Sequence, residues 1–132
     1  MVDITIRLST QAGTECIIIC DTAHVFEKEG AKTITVPKGS DSVDFTLVNL
    51  LKKGDIVVTQ DYGLAAMCLA RGAIPISQNG LIFSDSNINS LLTQRHFAKK
   101  IRKAGGRLKG PAKRIPGQNR GFEAGLSMLL GL

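Results

Sequence analysis

The sequence has no tryptophan, a single tyrosine, and no uninterrupted apolar run approaching the roughly 20 residues that a membrane-spanning helix needs. A membrane-crossing role is therefore not expected, and the scarcity of large flat rings leaves few platforms for stacking on nucleic-acid bases. The first residues lack the charged, apolar and small-residue succession of a secretion signal, so a cytoplasmic protein with no membrane partner is expected. The three cysteines, Cys16, Cys20 and Cys68, are odd in number and sit in apolar surroundings. That argues against a disulfide framework and for reduced, buried thiols. Cys16 and Cys20 also lack the C-x-x-C spacing of a zinc knuckle. No internal repeat, low-complexity tract, linker, nucleophile elbow, phosphate-cradling glycine loop or H-E-x-x-H motif is present, and neither His24 nor His96 has a partner nearby in sequence.

What the chain does have is enough length, 132 residues, for one domain spanning residues 1–132, and an ordinary hydrophobic fraction of 43%. Its net charge of +6 is unevenly spread: residues 1–60 sum to −2, residues 61–92 to −1 and residues 93–132 to +9. A basic C-terminal segment of that size is the footprint expected of a phosphate-rich partner, RNA or DNA, or else a solvated face of the same domain.

Short apolar runs alternate with helical patterns. CIIIC (16–20) reads as a strand buried on both faces, with TITV (33–36), IVVTQ (56–60) and AIPIS (73–77) as further strands. Pro75 favours an edge position for the last of these, and Gln78-Asn79-Gly80 turns the chain toward LIF (81–83). Helices are expected over 42–52, 63–71, 85–106 and 121–130, the second stopped by Arg71-Gly72 and the third by Gly105-Gly106. This order argues for right-handed βαβ units: an α/β fold with a mainly parallel, helix-covered sheet. Val2, Ile4, Ile6 and Leu8 alternate as in a strand, although Gly13-Thr14 would also end a helix.

The acids follow the strands. Asp21, Asp41 with Asp44, and Asp61 each come after a strand pattern, and in an open parallel sheet the carboxyl ends of the strands share one rim where ligands bind. Two such carboxylates about 5 Å apart repel by about 3 kcal/mol at an effective dielectric of about 20. Protonation or a divalent cation relieves that cost, and oxygen-only ligands suit Mg²⁺ or Mn²⁺. Taken singly, each acid reads as well as a cap: Asp41 and Asp61 at helix starts, Asp44 in a first turn, Asp21 at a turn.

GSDSVDFTLVNLLKKGDIVVTQDYGLAAMCLARGA (39–73), then NGLIFSDSNINSLL and RHFAKKIRKAGGRLKGP, with Phe122 and Leu126 later, resembles the bacterial YaiI/YqxD family, which is grouped with PIN-like domains. The resemblance implies a three-layer α/β/α PIN-like (Rossmann-like) sandwich with acids clustered at the carboxyl rim, in a superfamily that includes Mg²⁺- or Mn²⁺-dependent nucleases. It places a G-x-D-x-x-D element on Gly39, Asp41 and Asp44, a T-x-D-x-x-L-A element on Thr59, Asp61, Leu64 and Ala65, and a basic element on Arg95, Arg102, Gly105, Gly106, Gly110 and Pro111. Members usually begin with a strand carrying Asp-x-Asp-x-Cys-Pro; the residues seen here match the helix that follows it, so residues 3–12 are expected to be helical and the first strand of the sheet to be missing.

Two functions are weighed on this basis. One is a metal-dependent nuclease or phosphodiester hydrolase, with Asp41, Asp44 and Asp61 as catalytic and metal-binding acids and Arg95, Lys99, Arg102, Lys103, Arg107 and Lys109 contacting phosphate. The other is a non-catalytic nucleic-acid-binding or protein-interaction module on the same fold. Without the first strand, either the sequence is internal to a longer chain or a second subunit, in a homo-oligomer, completes the sheet.

Overall fold

Ile4 and Leu8 lie four residues apart, one helical turn, and that spacing outweighs the strand-like alternation around them. In the computed structural model, which describes residues 2–23, 25–39, 42–94 and 116–132, the chain opens with helix α1 (Val2–Gln11), and Leu8 is buried. Its end is a Schellman motif: Gly13 has φ +72°, its N–H donates to the Thr10 carbonyl at 3.1 Å, and the Thr14 N–H donates to the Ser9 carbonyl at 2.9 Å.

Four short strands follow, all paired in parallel: β1 (Ile17–Asp21) with β2 (Lys32–Val36), and β3 (Ile56–Val58) with β4 (Ile74–Ile76). The expected single sheet is instead two sheets of two strands, and among the described residues no ladder joins them. This also corrects the reading of CIIIC as a strand covered on both faces. With one neighbouring strand, β1 leaves Ile17 44% exposed and Ile18 and Ile19 half-buried, while Cys20 is buried. In β4 the Ile74 N–H donates to the Asp55 carbonyl and the Ile76 carbonyl accepts from Thr59, so residues 74 and 76 address β3. Pro75 therefore turns its missing donor away from that ladder, toward Phe83, whose N–H donates to the Pro75 carbonyl at 2.9 Å. LIF (81–83) contributes a single antiparallel bridge, Ile76 to Ile82, and not a strand.

The helices α2 (Ser42–Leu50) and α3 (Tyr62–Ala70) lie where the pattern puts them. Helix α4 runs over 88–94 within the described residues, and the rest of the expected 85–106 helix lies outside them. Helix α5 (Pro116–Leu129) begins five residues earlier than expected, at a proline whose fixed φ suits a first helical turn. The polar Gly117-Gln118-Asn119-Arg120 stretch reads as loop but winds as helix ahead of the anchor Phe122, which is fully buried.

Strand alternation sorts the helices onto two sides of β3. Ile56 and Val58 pack with Leu8 of α1 and Phe122 and Leu126 of α5, whereas Val57 packs with Leu64 and Cys68 of α3 and is reached by Leu47, Val48 and Leu51 at α2. Both α1 and α2 also reach the other sheet. Helix α2 lies against β1 and β2; α1 sets Ile6 against Gly30 and Asp3 beside Lys28 at 3.3 Å. A third cluster of Ala65, Phe83 and Ile88, with the Tyr62 ring edge-on to Phe83 at 5.6 Å, fixes α4 against α3.

Candidate acidic site

Asp61 sits three residues beyond β3 and is the N-cap of α3. Its Oδ1 accepts from the Gly63 N–H at 2.8 Å and the Leu64 N–H at 3.1 Å, with extended backbone angles of φ −82° and ψ 112°. The Thr59 hydroxyl accepts from the Asp61 N–H at 3.0 Å and orients this turn, and Leu64 and Ala65 are buried. Every residue quoted in the T-x-D-x-x-L-A element thus has a local structural role. Thr59 sets the approach, Asp61 caps, and the two apolar residues seat the helix. A cap still leaves an exposed carboxylate at a helix N-terminus, where the helix dipole favours negative charge.

Asp21, the last residue of β1, is engaged in a similar way. Its Oδ1 accepts from the Ala23 N–H at 3.0 Å, closing the turn after the strand. Asp44 lies half-buried in the first turn of α2 and acts electrostatically on Cys68 of α3. Among the described residues no group of three or more Asp, Glu, His or Cys is placed to hold a metal ion, so Asp21, Asp44 and Asp61 are not brought into one ligand set. Asp21 and Asp61 follow strands of different two-stranded sheets, β1 and β3, which no ladder joins among the described residues. Asp41, His24 and His96 lie outside the described residues, as do all six proposed phosphate contacts, Arg95, Lys99, Arg102, Lys103, Arg107 and Lys109.

The thiols carry no signal of reactivity. All three cysteines are unpaired by disulfides, Cys20 and Cys68 buried and Cys16 half-buried. Burial pushes the Cys16 thiol up, against a smaller opposing hydrogen bond from Ser9. Burial first, and the Asp44 carboxylate second, push the Cys68 thiol from 9.0 up to about 11. Between those values the unfolded thiol ionises while the folded one stays neutral, so the stability it contributes is full below pH 9 and lost as pH rises to about 11. Urea midpoints across that window are expected to fall faster for the wild type than for Cys68→Ala, by up to about 1.4 kcal/mol per pH unit. Parallel pH profiles would contradict this placement of Cys68.

The comparison with known proteins decides the family. The model described as "Uncharacterized BCR, YaiI/YqxD family" matches residues 1–131. The chain belongs to the YaiI/YqxD family. A UPF0178 protein of Exiguobacterium sibiricum is 54% identical over 130 residues, covering 98% of this chain and 89% of that protein. A UPF0178 protein of Ruminiclostridium cellulolyticum is 46% identical over 128 residues, covering 97% of this chain and 84% of that protein. No solved structure matches. For this YaiI/YqxD member, sequence reasoning named Thr59 only within the T-x-D-x-x-L-A element, without the acceptor role its hydroxyl has toward the Asp61 N–H, and passed over Phe83, which packs edge-on to the Tyr62 ring. An S/T-x-D spacing before a helix is the local signal for the Thr59 role; the Phe83 contact is tertiary, with no sequence signal.

Proposed function

We propose that this YaiI/YqxD protein is a three-layer α/β/α PIN-like domain acting as a divalent-metal-dependent nuclease or phosphodiester hydrolase. The observation that supports the reading is the strand, acid, helix geometry at Asp61: a carboxylate at the exposed N-terminus of α3, just past β3, in a chain whose residues 93–132 carry +9. The acid set is Asp61 and Asp44 with Asp41. The described acids do not by themselves complete such a set, so the site depends on Asp41. A bound Mg²⁺ or Mn²⁺ would supply Lewis acidity toward a phosphodiester oxygen. The Asp61 carboxylate stands at the N-terminus of α3, where its capping bonds to Gly63 and Leu64 fix the turn. The basic residues Arg95, Lys99, Arg102, Lys103, Arg107 and Lys109 neutralise backbone phosphates, so RNA or DNA binding weakens steeply with salt. Its place of action is the cytoplasm; no described helix is long and apolar enough to cross a membrane.

A second reading keeps the fold and the phosphate contacts without the chemistry, and the lack of a three-acid group among the described residues favours it. The two separate on one assay. Labelled single-stranded and structured RNA and DNA incubated with Mn²⁺ are expected to be cut by the wild type and at least about 100-fold more slowly by Asp61→Asn, a substitution that removes the charge but keeps a good cap. Equal cleavage by both proteins, or none by either, would sink the nuclease reading.

A further inference from the structure

We propose that the Asn79-Gly80 junction is a self-modification site kept closed by the docking of α5, and that a chain whose α5 lifts is irreversibly marked there by conversion of Asn79 to isoaspartate. The chemistry needs only water. The Gly80 nitrogen, once it loses its proton, attacks the side-chain carbonyl carbon of Asn79; the new N–C bond closes a five-membered succinimide as the bond to the side-chain nitrogen breaks and ammonia leaves. Water then opens the ring. Breaking the bond from the ring nitrogen to the side-chain carbon gives aspartate, and breaking the bond to the main-chain carbonyl carbon gives isoaspartate. A water is consumed and an ammonia released, with no change of oxidation state. Of the asparagines in the chain, Asn79 alone precedes glycine, which leaves the attacking nitrogen unhindered by a side chain. Asn49, Asn89 and Asn119 lie in helices, and the Asn87 side chain accepts from the Ser84 N–H and donates to the Ile82 carbonyl. Asn79 is exposed in a turn.

The fold withholds both things the attack requires, a free Gly80 nitrogen and room for the two residues to turn toward each other. The Gly80 N–H donates to the Ser77 carbonyl at 3.1 Å, and the Ser77 N–H donates to the Leu81 carbonyl at 2.8 Å. The Ser77 hydroxyl accepts from the Asn79 and Leu81 N–H groups at 3.2 and 3.1 Å. Helix α5 covers this turn backbone to backbone: a Cβ at Gly121 would lie 2.8 Å from the Asn79 carbonyl oxygen, and one at Gly125 3.2 Å from the Gly80 carbonyl oxygen. Gly80, at φ +92°, cannot rotate without moving against Gly121. The reaction therefore runs through local opening. What sets that opening lies away from the turn, in Phe122 and Leu126 of α5 packed with Leu8 and Ile76, and in the Arg7–Glu123 ion pair at 2.6 Å that ties α5 to α1. The mark is permanent because isoaspartate adds a methylene to the main chain and a carboxylate beside it, at a contact where Gly80 and Gly121 have no room even for a Cβ.

The test follows deamidation at residue 79 by peptide mapping and mass spectrometry, in the folded protein and in a synthetic peptide of residues 73–84 that carries the junction without its cover. Amide exchange of Gly80 in the folded protein is measured under the same conditions. The protein is expected to deamidate at least about 10-fold more slowly than the peptide, and by the same factor, within about threefold, as its Gly80 exchange is slowed, because one opening frees the nitrogen for both reactions. Gly121→Ala, whose new Cβ presses on the Asn79 carbonyl oxygen, is expected to speed both rates together at least about fivefold, and more than it speeds exchange at Val57 and Cys68 in the other cluster. Urea below the unfolding transition gives the same paired rise in the wild type, independently of any variant. The isoaspartate form, separated by chromatography, is expected to unfold at lower urea than the unmodified chain. Deamidation of the folded protein at the peptide's rate, a slowing unmatched by Gly80 exchange, or an isoaspartate form as stable as the unmodified one would each overturn the proposal.

Discussion

Gly80→Ala is expected to destabilise the protein by more than about 3 kcal/mol, beyond the range of ordinary surface substitutions. Gly80 has φ +92°, a conformation that alanine adopts only under strain, and a Cβ built there would lie against the Gly121 backbone, its carbonyl oxygen above all. Neither partner yields easily. The turn is held by Ser77, whose hydroxyl accepts from the Asn79 and Leu81 N–H groups at 3.2 and 3.1 Å and whose carbonyl accepts from Gly80. The helix side is α5, where Gly121 and Gly125 let the turn approach: a Cβ at 121 would lie 2.8 Å from the Asn79 carbonyl oxygen, and one at 125 about 3.1 Å from the Ile76 side chain. Glycine inside a helix costs about 1 kcal/mol relative to alanine, so Gly125→Ala regains on propensity roughly what it loses on contact and is expected near neutral. Urea unfolding of the three alanine variants is expected to rank the damage 80, then 121, then 125; a Gly80→Ala protein within about 1 kcal/mol of wild type would show that the turn and α5 are not in contact.

Phe122→Ala is expected to cost about 3–5 kcal/mol, a large part of the roughly 5–15 kcal/mol that holds a typical domain together. Phe122 is fully buried and packs with Leu8, Ile76 and Leu126, so one side chain ties α1, β4 and α5 into the same cluster. No single neighbour can fill the space, because Leu8 and Ile76 are themselves held in α1 and in the β3–β4 ladder. Phe45, 63% exposed on α2, is the matched control: its truncation is expected to cost under about 1 kcal/mol. The same denaturation series measures both, and a comparable loss at the two positions would contradict this account of the core.

How far the sequence revealed this arrangement depended on the range of the interaction. Short-range signals were sufficient for α2, α3 and the four strands, because glycine stops, acid caps and β-branched runs act within a few residues. Helix α1 was ambiguous for a physical reason: Ile4 and Leu8 satisfy helical spacing and strand alternation alike, and packing against Phe122 and Ile76 decides between them. The start of α5 was missed because its first turn is polar and glycine-bearing, and its burial begins only at Phe122. The burial of CIIIC was overestimated because sequence reports what a strand would tolerate on each edge, not whether a neighbour is there. Asp21 and Asp61 close strand ends and Asp44 lies in the first turn of a helix as the local pattern expects, but whether such acids share a site depends on how the elements are placed in space, a property no local pattern encodes.

Asp61 as a metal ligand that is also a helix cap is the central claim, and it can be tested without any substrate. Titration of Mn²⁺ into the protein, followed by paramagnetic broadening of amide resonances, is predicted to affect Asp44, Gly63 and Leu64 first in the wild type and to leave them sharp in Asp61→Asn at unchanged thermal stability. Broadening that is absent, spread evenly over the surface, or identical in the two proteins would contradict it.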